Sequence, residues 1–183
     1  MRVAILHNRY KHRGGEDSAV DMEAELLQKA GHRVELFTVD NAEAIGGSFL
    51  GPIRAGLRAR WNSAMGERVG AYLAHHPVDV AHVHNFFPLL TPAVHAAIHD
   101  CDVPVVQTLH NYRLLCANGM FLRRERACED CVASGPWNAV RHGCYRGSRL
   151  QTAVLAEQTA FHRRRGTWQR NVDLFTTPSA FAR

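Results

Sequence analysis

The chain has 183 residues, 46 % of them hydrophobic and 21 % charged, which fits one packed globular domain and excludes intrinsic disorder, collagen-like repeats and polar low complexity. Its formal charge of +5 is lopsided: residues 1–100 carry 10 basic and 11 acidic side chains, residues 101–183 carry 12 and 6. The basic residues of the second half are all arginine, whose forked donors suit phosphates and carboxylates, so anionic ligands, lipid headgroups and nucleic acid are weighed below against a merely solvated surface. No run approaches the roughly 18 uninterrupted apolar residues of a membrane span, and Met1 to Leu6 meets His7 too soon for a secretory signal; a cytosolic location is expected.

In chain order, Val3-Ala4-Ile5-Leu6 reads as a first strand and the polar stretch from His7 to Gly15 as a loop. Asp17 and Ser18 are placed to cap a helix whose apolar positions Ala19, Val20, Leu26, Leu27 and Ala30 fall at helical spacing, with Gly31 ending it. Arg33 to Val39 gives a second strand, residues 40–52 a loop, and 53–75 a helix with basic residues along one side. A third strand is expected at 78–83, a helix at 92–100, a fourth strand at 103–109 and a last one at 172–177.

Strands alternating with helices predict an α/β fold: a Rossmann-like parallel sheet with helices on both faces. Ligands of such a sheet sit beyond the carboxyl ends of its strands. The residues there are polar: His7-Asn8 with Gly14-Gly15-Glu16, His84-Asn85, His110-Asn111, and Ser179. Residues 112–148 break the rhythm, with four cysteines and few apolar side chains, and read as an insertion over the ligand edge. The helix that follows, about 150–168, offers Val154, Leu155, Phe161 and Trp168 to a core and carries Arg163, Arg164 and Arg165.

Gly14-Gly15 lets backbone amides approach a phosphate at a helix N-terminus, or is an ordinary tight turn; neither the dinucleotide nor the P-loop glycine pattern is present. His84 and His110 each end a strand and each precedes an asparagine. As a pair in one crevice they can contact a phosphate or a sugar hydroxyl or exchange protons near neutral pH, whereas either alone reads as structural. The other histidines, His75, His76 and His82 among them, read as surface or packing residues.

Cys116, Cys128, Cys131 and Cys144 contain one C-x2-C knuckle and could complete a tetrahedral zinc site; reduced structural thiols and disulfides are the alternatives. Cys101 stands apart. Ile53, Leu57 and Trp61, with Phe49 before them and Arg54, Arg58 and Arg60 beside them, form a basic amphipathic face that suits either an anionic membrane surface or packing on the sheet. Phe86 to Leu90 lines an apolar acceptor pocket or packs its own loop. No helix-turn-helix or RNA-binding signature accompanies the arginines, so nucleic acid is not expected as a partner.

Taken together, Arg13-Gly14-Gly15-Glu16-Asp17, Ala30-Gly31-His32-Arg33-Val34, the stretch from Asp79 to Asn85, Val103 to Arg113 with Cys116 and Cys128-Glu129-Asp130-Cys131, and Ser179 to Arg183 resemble the N-terminal half of bacterial family 4 retaining glycosyltransferases of the GT-B fold. The resemblance spans nearly the whole chain. It implies that residues 1–183 are the acceptor-side domain, and that the C-terminal donor-binding domain lies outside this sequence. It implies a nucleotide-sugar donor, UDP- or GDP-linked, a saccharide or lipid-linked acceptor, and no divalent metal required for transfer. By the same resemblance Gly14 and Gly15 lie by the donor diphosphate, and His110 is the active-site histidine near the transferred sugar. Glu16, His84, Asn85, Asn111 and Ser179 shape the sugar and acceptor side. The isolated chain is then expected to have negligible transferase activity. The rival reading is a non-catalytic Rossmann-like module that binds a sugar or an anionic ligand.

Overall fold

The computed structural model describes residues 1–10, 12–40 and 60–179. The elements run β1 (Arg2–Arg9), α1 (Gly15–Lys29), β2 (Arg33–Asp40), α2 (Ser63–His75), β3 (Val80–Val83), α3 (Ala93–His99), β4 (Val105–Thr108), β5 (Leu122–Arg123), β6 (Arg126–Ala127), α4 (Asp130–Ser134), α5 (Trp137–His142), α6 (Arg149–Arg165), α7 (Thr167–Asn171) and β7 (Leu174–Thr176). They divide into two compact units, Met1–His110 with Gln169–Pro178, and Asn111–Trp168 with Ser179–Arg183.

The first unit is a five-stranded parallel sheet in the order β2-β1-β3-β4-β7. Six consecutive residues of β1, Val3 to Asn8, are buried, as a central parallel strand covered on both faces requires. Val3 and Ile5 of β1 pack with Val20 and Ala24 of α1, and Leu27, Val34 and Val80 close around them. The sheet first grows from β1 to β2 and then restarts at β3 on the other side of β1. That reversal of strand order, between β1 and β3, is where a doubly wound sheet offers its ligand crevice. Gly66 of α2 is needed for close helix packing, since a Cβ there would stand 3.2 Å from the carbonyl oxygen of Ala93.

Three of the departures from the sequence expectations bear on site residues or the basic face. β1 continues through Arg9, in register with Asp40 of β2, so His7 lies inside the strand and not in a loop. α1 starts at Gly15 with Gly14 as its cap residue, and Asp17 sits one turn inside. Its carboxylate accepts the Gly14 N–H at 2.9 Å, satisfying a first-turn donor from within the helix. α2 begins only at Ser63, where the Asn62 side chain accepts the Met65 N–H. Phe49, Ile53, Arg54, Leu57 and Arg58, on which the basic amphipathic face rests, lie outside the described residues.

The second unit holds the antiparallel pair β5–β6 and helices α4 to α6. It begins where the expected insertion begins and runs on through α6. Ser148 caps α6 by accepting the Gln151 N–H, and Gly166 ends it at φ 61°, the left-handed conformation that favours glycine. The buried residues of α6 are Thr152, Leu155, Ala156, Gln158, Thr159, Ala160 and His162, at helical spacing, whereas Val154, Phe161 and Trp168 are only half-buried. Among the described residues, no helix is long and apolar enough to cross a membrane.

Candidate functional site

At the carboxyl edge of the first unit, β1, β3, β4 and α1 assemble a histidine and carboxylate network. His7 is fully buried, and its Nε2 donates to Asp17 Oδ1 at 2.9 Å. His82 and His84 are two residues apart on an extended segment and so point to one face, the face on which α1 places Glu23. His82 Nδ1 contacts Glu23 Oε1, and His84 Nε2 stands 3.6 Å from Glu23 Oε2. His82 Nε2 pairs with Thr108 Oγ1 at 2.7 Å, and Thr108 Oγ1 with Thr176 Oγ1 at 2.7 Å. His84 Nδ1 lies 2.9 Å from His110 Nε2, the two rings stacked with centroids 5.2 Å apart.

The charges of this network follow from its surroundings. Burial raises the proton affinity of Glu23, but the contact with His82 and the nearby His84 ring outweigh it and hold the carboxyl far below its ordinary range. Asp17 is likewise held down, the Gly14 N–H and His7 outweighing the opposing effect of burial. Desolvation lowers the pKa of His84, against the pull of Glu23, and that of His110, against the pull of Glu16. Both imidazoles are therefore biased toward the neutral form, in which His84 Nδ1 and His110 Nε2 share one proton.

Where that proton resides is decided by Glu23. If His84 carried it on Nδ1, its bare, buried Nε2 would face an anionic carboxylate. Placing the His84 proton on Nε2, toward Glu23, makes Nδ1 an acceptor and requires His110 Nε2–H to donate to it. His110 then keeps a bare Nδ1 lone pair, suited to accept a hydrogen bond from a hydroxyl.

Around this chain, other polar groups hold the backbone. Asn85 uses both ends of its amide inside the protein: Nδ2 donates to the Asn8 carbonyl at 2.9 Å and Oδ1 accepts the Phe87 N–H at 3.0 Å. Asn8 Oδ1 accepts the Leu89 N–H at 2.9 Å. Asn85 thus shapes the loop from His84 to Leu90. Gln107, buried in β4, donates to the carbonyls of His84 and Thr108 at 2.8 Å each and accepts from His95 Nε2 at 2.7 Å.

Gly14 has φ −116°, and a Cβ on it would make only ordinary contacts near 3.9 Å; among the described residues a Cβ on Gly15 would meet nothing within 4 Å. Neither glycine is demanded by a tight turn. Open space lies at Gly15, on the first turn of α1, and half-buried Glu16 beside it accepts from Tyr10 Oη at 2.8 Å.

The remaining expected site residues fall in the second unit. Asn111 Oδ1 accepts the Arg113 N–H at 3.0 Å, and Ser179 is exposed. Cys116 and Cys131 are buried, Cys128 and Cys144 half-buried, and all four are free thiols, as is exposed Cys101. Among the described residues, the trio whose ligand atoms lie within 4.8 Å of one another is Glu23, His82 and His84. Two imidazoles and a carboxylate are a donor set zinc accepts; here Glu23 contacts His82 Nδ1 and stands 3.6 Å from His84 Nε2.

Sequence reading missed Asp17, Glu23, His82 and Gln107 as parts of this site. Two signals for them exist: His82 and His84 share a strand face by their spacing of two, and Glu16 and Glu23, seven apart, share a stripe of α1.

An open five-stranded parallel sheet with helices defines a Rossmann-like unit of the kind that forms half of a GT-B enzyme. Residues 13–183 match the sequence model of Glycosyltransferase Family 4, and the chain belongs to that family. No curated protein matches it.

Proposed function

We propose that this chain is the acceptor-side domain of a retaining glycosyltransferase. With a second, donor-binding domain, it would move a sugar from a UDP- or GDP-sugar to a saccharide or lipid-linked acceptor. The observation that carries the reading is the Glu23–His84–His110 chain, which stands at the sheet's switch point in a member of a glycosyltransferase family. Its proton order leaves His110 Nδ1 as a hydroxyl acceptor, which suits a residue that positions the transferred sugar. The space at Gly15 and the favourable end of the α1 dipole suit the donor diphosphate.

In this reading transfer follows a front-face course. The bond from the anomeric carbon to the leaving phosphate oxygen breaks while the acceptor oxygen bonds on the same face, and the acceptor proton passes to the leaving phosphate. His110 orients the sugar and supplies local electrostatics; it is not a nucleophile. Glu16 acts through its charge on His110, His84 as a positioning residue, and Asn85 by holding the acceptor-side loop. Asn111 and Ser179 are assigned to sugar and acceptor contacts on the resemblance alone. The arginine excess of residues 101–183 suits a cytoplasmic enzyme peripheral to the inner membrane face, working on cell-envelope polysaccharide.

The test is a panel of UDP- and GDP-sugars with saccharide and lipid-linked acceptors, run on the enzyme with both domains, with product configuration read by NMR. One donor should give a product with the donor's anomeric configuration. An inverted product would overturn retention, and saccharide binding without turnover on any donor would favour the binding-module reading.

A further inference from the structure

His82 and His84 flank Val83, which is fully buried, so the alternation of an extended segment turns both imidazoles to the other face, their ring centroids 4.2 Å apart. Toward Glu23 of α1, His82 turns Nδ1 and His84 turns Nε2. Each of the three residues thus offers one ligand atom within 4.8 Å of the other two.

Three features set this trio apart from an ordinary ion pair. Among the described residues, His84 Nε2 is buried without a hydrogen-bond partner, the Glu23 oxygen at 3.6 Å being out of reach. A buried polar atom left so is costly, and an ion beside it removes the cost. The ring nitrogens that face away from the trio are both held, His82 Nε2 by Thr108 Oγ1 at 2.7 Å and His84 Nδ1 by His110 Nε2 at 2.9 Å. Such outer partners fix the orientation of metal-ligating imidazoles. Finally, side-chain exposure rises from 1 % at His84 to 14 % at His82 and 33 % at Glu23, which leaves an entry path and a fourth position on the Glu23 side.

We propose that Glu23, His82 and His84 bind one zinc ion. The site stands whatever reaction the domain serves. Zinc about 2.0–2.2 Å from each atom sets the ligand atoms of a tetrahedron about 3.4 Å apart. The His84–Glu23 pair is already near that spacing; the His82–Glu23 pair is closer and opens by rotation of the half-exposed Glu23 side chain.

Coordination resets the protons behind the ligands. Each ligating nitrogen must be bare, so His82 carries its proton on Nε2 and donates to Thr108 Oγ1, whose hydroxyl turns to Thr176. His84 carries its proton on Nδ1 and donates to His110 Nε2, and His110 then keeps its own on Nδ1. No proton is lost; each neutral imidazole moves one between its nitrogens. Metal-free, His110 Nδ1 accepts a hydrogen bond; with zinc bound it donates one. In the glycosyltransferase reading, on which this last consequence rests, zinc switches the partner that His110 offers to a sugar hydroxyl from acceptor to donor.

The test titrates zinc chloride into the 183-residue chain, labelled with 15N-histidine and first stripped with chelator, and follows the ring nitrogens at neutral pH. His82 Nδ1 and His84 Nε2 should take the shifts of metal-bound nitrogen, and His110 should move its proton from Nε2 to Nδ1. Zinc taken up by the cysteines would leave these rings unmoved and so cannot imitate the result. Loss of an outer partner usually costs a metal site roughly ten- to hundredfold in affinity, so Glu23→Gln, which removes a ligand charge, should weaken binding read from the same signals about a hundredfold or more. Ring signals that ignore excess zinc would overturn the site, as would undiminished affinity in the Glu23→Gln chain. Metal-bound His82 and His84 beside a His110 still protonated on Nε2 would overturn the proton relay. The spectra of the unaltered chain decide the case even if the variant fails to fold, and none of these readouts depends on transferase activity.

Discussion

Replacing Glu23 by glutamine tests the proton order at its source. The variant keeps the side chain's shape and an oxygen for His82 but removes the charge 3.6 Å from His84 Nε2. At that distance a charged pair is worth about 1 kcal/mol at the dielectric of water and about 5 kcal/mol at the effective dielectric near a protein surface. Glu23 stabilises the protonated forms of both His84 and His110, so its loss should lower both pKa values, that of His84 the more because it is closer. The neutral His84 also loses its reason to keep the proton on Nε2, and the His84–His110 pair should exchange between two tautomeric orders. Histidine ring 15N spectra of the chain, titrated with pH, read both effects. Unchanged midpoints together with an unchanged His110 tautomer would refute the assignment of Glu23 as the group that orders this chain.

Gly15→Ala should leave the melting temperature within about 1 °C, since the new Cβ meets no atom of the described residues within 4 Å, yet weaken nucleotide-sugar binding in the two-domain enzyme about tenfold or more by filling space the diphosphate needs; undiminished affinity would remove the diphosphate from this loop. Gln107→Leu takes a donor from two buried carbonyls and an acceptor from His95, and at about 1 kcal/mol or more per orphaned group chemical denaturation should show a loss of about 3 kcal/mol. A loss under about 1 kcal/mol would mean these bonds do not brace β4 and the His84 carbonyl. Acid should loosen the first unit. His84 and His110 have folded-state pKa values below their ordinary one, so their neutral forms favour folding above about pH 6.5, and that contribution is lost as pH falls through the folded values. Denaturation midpoints that stay flat from pH 7 to 5 would contradict it.

The sheet was legible because its signals are local: β1, β3 and β4 are short apolar runs, and each ends on a histidine or close before one. The pairing of His84 with His110 was legible for the same reason, since strand ends converge on one edge whatever the side chains do. Glu23 was not, because an acidic residue in mid-helix reads as solvated until the helix is laid across β3. Asp17 was misplaced as a cap for a related reason: its carboxylate serves the Gly14 N–H and His7 together, and only the first partner is local in sequence. His82 looked like packing because its partners, Glu23 and Thr108, are 59 and 26 residues away. The buried face of α6 eluded hydropathy because it is built from threonine, alanine, Gln158 and His162 around Leu155.

The most direct measurement is the turnover of the two-domain enzyme with His110→Ala, assayed on the donor and acceptor that the unaltered enzyme uses. The account predicts a fall of roughly a hundredfold or more in kcat, the usual scale for losing a positioned transition-state partner, with the melting temperature and donor affinity little changed. Transfer at the unaltered rate by a folded His110→Ala enzyme would contradict it.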